Sequence, residues 1–168
     1  DKSVRGSNWV EWNNAINFPI IRYSDVLLML PEAEYRANGT VSADAWEGLN
    51  QVRRRGYGKD IHTPDPSVDL VQGTAIAADP YPGLDPVLAQ ILDERHWELC
   101  FEGHRWADLV RFGRLQQVYH DVLLHDDFWS QYYDPYRNNC LEKHSVFPVP
   151  QSVIDSSNGA IEQNALWK

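Results

Sequence analysis

The sequence predicts an all-α protein in which a helical hairpin and further helices are joined by long irregular loops. Three observations carry that prediction. Apolar side chains recur at helical spacing in 19–39, 42–54 and 85–102. Helix-capping residues stand where those stretches start or stop. Prolines and glycines crowd the intervals, above all 56–84. The chain of 168 residues is long enough for one domain with a core of its own. It divides into a lead-in (1–17), a helical hairpin (19–54), a loop (55–84), central helices (85–124), and an aromatic loop with an extended tail (125–168).

The lead-in is polar and aromatic, with Trp9 and Trp12 among several asparagines, and has no period. In 19–39, Tyr23, Val26, Leu27, Leu30, Ala33 and Ala37 follow the helical period and are expected to face inward. Pro19 suits the start and Gly39 a left-handed stop. Pro31 removes a backbone hydrogen bond, which predicts a kink or break. The next helix, 42–54, is capped by Ser42 or Asp44 and turns Ala45, Leu49 and Val52 inward. The short connection makes these two helices an antiparallel hairpin, like one unit of a tetratricopeptide array. Arg53, Arg54 and Arg55 end it, as cations at the negative end of a helix dipole or, alternatively, as an anion-binding cluster.

The long loop is expected to hold one short helical turn within 68–78. Asp60, His62 and Asp65 read as a solvated turn, since their spacing matches no metal site. His120, His125 and His144 show no zinc-like pattern, so neither metal nor cofactor is expected. Asp85 as cap and Pro86 at the first position open the central helix, which should run to about residue 102. A second helix is predicted over 104–112. A third spans 115–124, with Leu115, Val118, Val122 and Tyr119 inward. In the tail, Val146 to Pro150 is extended, one turn follows at 152–154, and Leu166 and Trp167 anchor the end.

The central helix organises the chain. Leu88, Leu92, Leu99 and Phe101 fit one stripe, but Arg95, Glu98 and Glu102 lie on or beside it. Charges near a core must be paired, because an isolated buried ion is very costly. Helical spacing offers Arg95 to Glu98, Glu102 to Arg105, and Asp108 to both Arg105 and Arg111. Two readings follow. Glu98 and Glu102 are either a general acid and base, as in a glycoside hydrolase, or members of a structural ion-pair network. The neighbouring arginines favour the network, since they keep a carboxylate ionised rather than proton-donating.

The balance of 24 acidic against 15 basic residues, a formal charge of −9, argues against nucleic acid or an anionic membrane surface as partner. No segment approaches the roughly 20 apolar residues of a membrane span. Cys100 reads as a small buried side chain of the central helix, with no pairing to Cys140 expected. Seven Trp, eight Tyr and five Phe are many for this length, and those off the helical stripes are candidates for a stacking surface. The richest stretch holds Trp129, Tyr132, Tyr133, Tyr136 and Asn138. Rings beside amides and carboxylates suit a sugar, whose apolar face stacks while its hydroxyls are hydrogen-bonded. The same residues equally suit a loop whose rings are packed down on the core.

Four blocks together resemble the SusD/RagB family. They are Arg22-Tyr23-Ser24-Asp25-Val26-Leu27-Leu28-Met29, Leu49-Asn50-Gln51-Val52-Arg53, the run from Glu94 through Phe101-Glu102-Gly103-His104-Arg105-Trp106 to Arg111, and the ending Phe147-Pro148-Val149-Pro150 with Gln163-Asn164. The resemblance implies the C-terminal portion of a longer tetratricopeptide-like fold. It further implies a surface-exposed outer-membrane lipoprotein of Bacteroidetes, anchored through a lipid outside this chain. Such a protein binds oligosaccharides or other nutrients without catalysis and docks on a SusC-type TonB-dependent transporter. An alternative within that reading is a helical scaffold that only docks the transporter. Pro31 departs from the family pattern, as does Gln151-Ser152-Val153-Ile154-Asp155, where the expected acid is displaced.

Overall fold

The computed structural model describes residues 19–77, 80–122 and 139–168. All regular elements among them are helical, with no strand. Helix α1 is Tyr23–Asn38, α2 is Ala43–Gly56, α3 is Pro86–Glu98, α4 is Arg105–Arg111 and α5 is Leu115–Gln117. A wider turn, Val118–Val122, extends α5. In the tail, α6 is Gln151–Ser156, flanked by single tight turns at Glu142–Ser145 and Ala165–Trp167.

Helices α1, α2 and α3 pack on one another, and α4 and α5 add Leu109 and Leu115 to the same core. Ser42 caps α2 by accepting from the Ala45 amide at 3.2 Å, and Asp85 caps α3 by accepting from Val87 at 2.9 Å. Gly39, at φ 72°, gives α1 the left-handed stop that a side chain would strain. Ala45, Leu49 and Val52 are buried as expected, with Leu28, Ile91, Leu92 and Leu109 completing the core.

Several expectations are corrected. Helix α1 continues through Pro31, whose ring is buried. That packing offsets the roughly 3 kcal/mol a helix-interior proline costs. The inward face of α1 is Asp25, Leu28, Pro31 and Glu32, while Tyr23, Val26, Leu30, Ala33 and Ala37 are exposed. The stripe is rotated because the two acids are drawn in by arginines from other helices. Helix α3 stops at Glu98 rather than near 102, so Phe101 is fully exposed, at φ 65°. Cys100 is exposed for the same reason, and it and Cys140 are both free thiols. Leu115 and Val118 are buried, but Tyr119 is 36% exposed, and the described side chains here stop at His120.

The long loop contains no helix among its described residues, yet it is fastened throughout. Asn50 accepts from the Leu70 amide at 2.9 Å and donates to the Leu70 carbonyl at 3.2 Å. Gln90 repeats the pattern one turn along, accepting from Gly73 at 2.8 Å and donating to Val71 at 2.9 Å. Two buried amide side chains thus stand in for a neighbouring strand. The Trp46 indole also donates to Leu70, at 2.9 Å. Asp60 and Asp65 form the expected turns, accepting from His62 and Thr63 and from Ser67. In the tail, Gln163 exchanges two hydrogen bonds with the Val149 backbone, and the Trp167 indole donates to Val146 at 3.0 Å.

Candidate functional site

The charged residues of the central helices resolve into three clusters. In the first, Arg95 lies in the core and donates to Asp25 on α1 at 2.7 Å and to Asp108 on α4 at 3.0 Å. Arg111 joins Asp108 at 2.8 Å to Glu32 at 2.8 Å, and Arg36 binds Glu32 at 2.7 Å. Three acids (Asp25, Asp108, Glu32) thus face three arginines, so the cluster is neutral as a whole while tying three helices together.

In the second, Arg22, just before α1, clamps both acids that sequence offers as a catalytic pair. It donates to the two Glu102 oxygens at 2.7 and 2.8 Å and to Glu98. Arg55 donates to the second Glu98 oxygen at 2.7 Å. Burial pushes the Glu98 carboxyl up, but hydrogen bonds from Arg22 and Arg55 outweigh it and hold the group below the ordinary glutamate range. A general acid needs the opposite shift. Of the pairs that spacing offered, Asp108 with Arg111 forms, at 2.8 Å, while Glu98 and Glu102 take other partners. Arg95 turns to the core and Glu98 away from it, so they do not pair. Glu102 lies beyond the end of α3, where the helical three-residue rule no longer applies, and Arg105 instead donates to the Tyr81 hydroxyl at 3.1 Å.

The third cluster occupies the end of α2. All five N–H groups of buried Arg54 are engaged: two with Glu47, two with Asp69 and one with the Ile61 carbonyl. Arg53 binds Glu94 at 2.7 Å and the Val68 carbonyl at 2.5 Å. With Arg55 on Glu98, every arginine of the triplet has a carboxylate partner. The triplet is therefore cross-linking rather than an open anion site, a role that a dipole argument from sequence misses.

Surface recognition is the remaining possibility. Trp9, Trp12, Trp129, Tyr132, Tyr133, Tyr136 and Asn138 all lie outside the described residues. Among those described, an open groove of about 440 Å³ runs between the ends of α2 and α3. Tyr57 and Trp97 line it and are both well exposed, with Arg53, Asp93, Glu94 and Glu98 between them. Each ring is held in place. His96 stacks on Trp97 at 5.2 Å, and the Trp97 indole donates to Asp93 at 3.2 Å. The Arg53 guanidinium sits 5.1 Å from the centre of the Tyr57 ring. Burial, aided by nearby Arg105, lowers His96 below the ordinary histidine value, so it stacks as a neutral ring near pH 7. An adjoining depression of about 370 Å³ shares Arg53 and Asp93 and runs along the loop past Leu70 and Ile76. Both rings sit off the apolar stripes, the signal by which composition alone marks stacking candidates. No group of three or more potential metal ligands comes together among the described residues.

The sequence profile of the SusD family matches residues 1–167. The chain belongs to the SusD family. It is 30% identical over 158 residues to SusD-like protein P25 of Formosa agariphila, an alignment covering 94% of this chain and 26% of that protein. It also superimposes on a crystal structure of a SusD homolog from Bacteroides thetaiotaomicron, with a TM-score of 0.63 and 29% identity over 94% of this chain and 30% of that one. The chain therefore spans about a quarter to a third of the relatives it matches. The helical-hairpin architecture is that of the SusD homolog. The signature residues Arg22, Asp25, Arg95, Glu98, Glu102, Asp108 and Arg111 prove to be the cross-links just described.

Proposed function

We propose that this chain is part of a non-catalytic glycan- or nutrient-binding component of an outer-membrane uptake system. The observation that carries the proposal is the SusD-family match along nearly the whole chain. The clamp of Arg22 on Glu98 and Glu102 supports it, because it holds the Glu98 carboxyl ionised rather than ready to protonate a glycosidic oxygen. The ligand site is assigned to the aromatic segments, with Trp129, Tyr132, Tyr133, Tyr136 and Asn138 contributing alongside Trp9 and Trp12. The partner is a SusC-type TonB-dependent transporter, and membrane attachment is through a lipid outside this chain. Among the described residues no helix is long and apolar enough to cross a membrane. Calorimetry with soluble oligosaccharides tests the assignment: Trp129→Ala and Tyr133→Ala should each weaken binding by about 1 kcal/mol. Unchanged affinity in both removes that segment from the site.

One observation favours a second reading, in which this portion mainly docks protein. Ile20, Ile21, Tyr23, Val26 and Leu30 form a run of exposed apolar side chains at the start of α1. Co-purification with the transporter in the absence of any sugar binding would select it.

A further inference from the structure

We infer that the groove between Tyr57 and Trp97 is itself a saccharide-binding site, and that it takes an uncharged oligosaccharide of several pyranose units. The inference rests on the glycan-binding reading and adds to it a site in the helical body, separate from the aromatic segments assigned above.

The chemistry of the groove makes the case. Two large rings stand exposed at its walls, where a core would have buried them. Neither is loose, because Trp97 is fixed by His96 and Asp93 while Tyr57 is backed by Arg53. A ring held in advance loses little freedom when a ligand stacks on it. Between the rings lie carboxylates and a guanidinium, which together accept from and donate to hydroxyl groups.

Size and charge narrow the ligand. The groove of about 440 Å³ continues past Arg53 and Asp93 into the depression of about 370 Å³, so an extended chain of sugars fits better than one residue or an ion. Arg53 is committed to Glu94, and Arg22 and Arg55 to Glu98, so these guanidinium groups are already bound to carboxylates. A sulfated or uronic-acid chain finds no uncommitted guanidinium among them, whereas a neutral glycan meets acceptors for its hydroxyls.

The test is titration of the ¹⁵N-labelled chain with maltohexaose, laminarihexaose, xylohexaose, mannohexaose and an oligogalacturonate. The Trp97 indole N–H resonance is followed, assigned from its loss in Trp97→Phe. One of the neutral hexasaccharides should shift that resonance. Trp97→Ala and Tyr57→Ala should each weaken its calorimetric affinity by about fivefold or more, with the helical circular dichroism unchanged. A neutral sugar that binds without moving the Trp97 indole, or with full affinity in both alanine variants, overturns the inference and leaves the broader glycan-binding reading standing. A shift produced only by the oligogalacturonate overturns the ligand class. No binding by any sugar overturns both.

Discussion

The guanidinium of Arg95 on α3 and the carboxylate of Asp25 on α1 meet at 2.7 Å, with both side chains almost wholly withdrawn from solvent. A pair so placed is held by mutual need: each charge would be very costly without the other. Arg95→Ala leaves Asp25 and Asp108 without their counter-charge. It should lower stability by about 3–5 kcal/mol, read as the denaturant midpoint at constant m-value. A loss under about 1 kcal/mol would mean that water or rearranged neighbours replace the guanidinium.

Arg54 gives a local counterpart. Its five hydrogen bonds join Glu47 on α2 to Asp69 and Ile61 on the loop. Arg54→Lys keeps the charge but not the fork that grips two carboxylates at once. Amide hydrogen exchange should quicken across 61–73 in that variant while α3 stays protected. Equal loss of protection everywhere would show that the loop and helices open as one unit.

How much of this was legible in the sequence differs between elements. The caps, the α2 face and the Gly39 stop are local features, and they follow from residues within one turn of each other. The paired nature of the charges was also legible, because an Arg and Glu inside an apolar stripe permit little else. Of their partners only the Asp108–Arg111 pair was, through its three-residue spacing: Asp25 with Arg95 and Arg22 with Glu102 join residues 70 and 80 positions apart, which no helical spacing reveals. The rotated face of α1 has the same origin, since Asp25 and Glu32 turn inward only because Arg95 and Arg111 wait there. Tyr57 and Trp97 were not singled out from the sequence, because the groove between them arises from how α2 and α3 end.

Acid should unfold the chain through the clamped carboxylates. Glu98, Glu47 and Asp69 are each held below their ordinary values of 4.5, 4.5 and 3.8. A depressed folded-state value contributes stability that is present above the unfolded pKa and lost as pH falls through the folded one. Glu94 works in the opposite sense, since burial raises it despite Arg53, and its contribution fades as pH rises through its folded value. The depressed carboxylates outnumber the raised one, which predicts that stability falls on going below about pH 4.5. Urea midpoints measured from pH 3 to 7 check this, and Glu98→Gln should flatten the acid side of the curve.

Phe101 is fully exposed and sits at φ 65°, a conformation that costs an ordinary residue about 1–2 kcal/mol. Phe101→Asn removes no buried contact in this chain and eases the backbone. The melting temperature should therefore rise, and a fall would show that the ring is covered in solution.

The measurement that bears most directly on the account is a paired readout on Glu98→Gln/Glu102→Gln: thermal unfolding beside glycan hydrolysis. If the two acids brace the scaffold through Arg22, the double variant melts at lower temperature, and neither form cleaves a glycan. Hydrolysis by the parent chain that disappears in the double variant, with the melting temperature unmoved, would contradict the account.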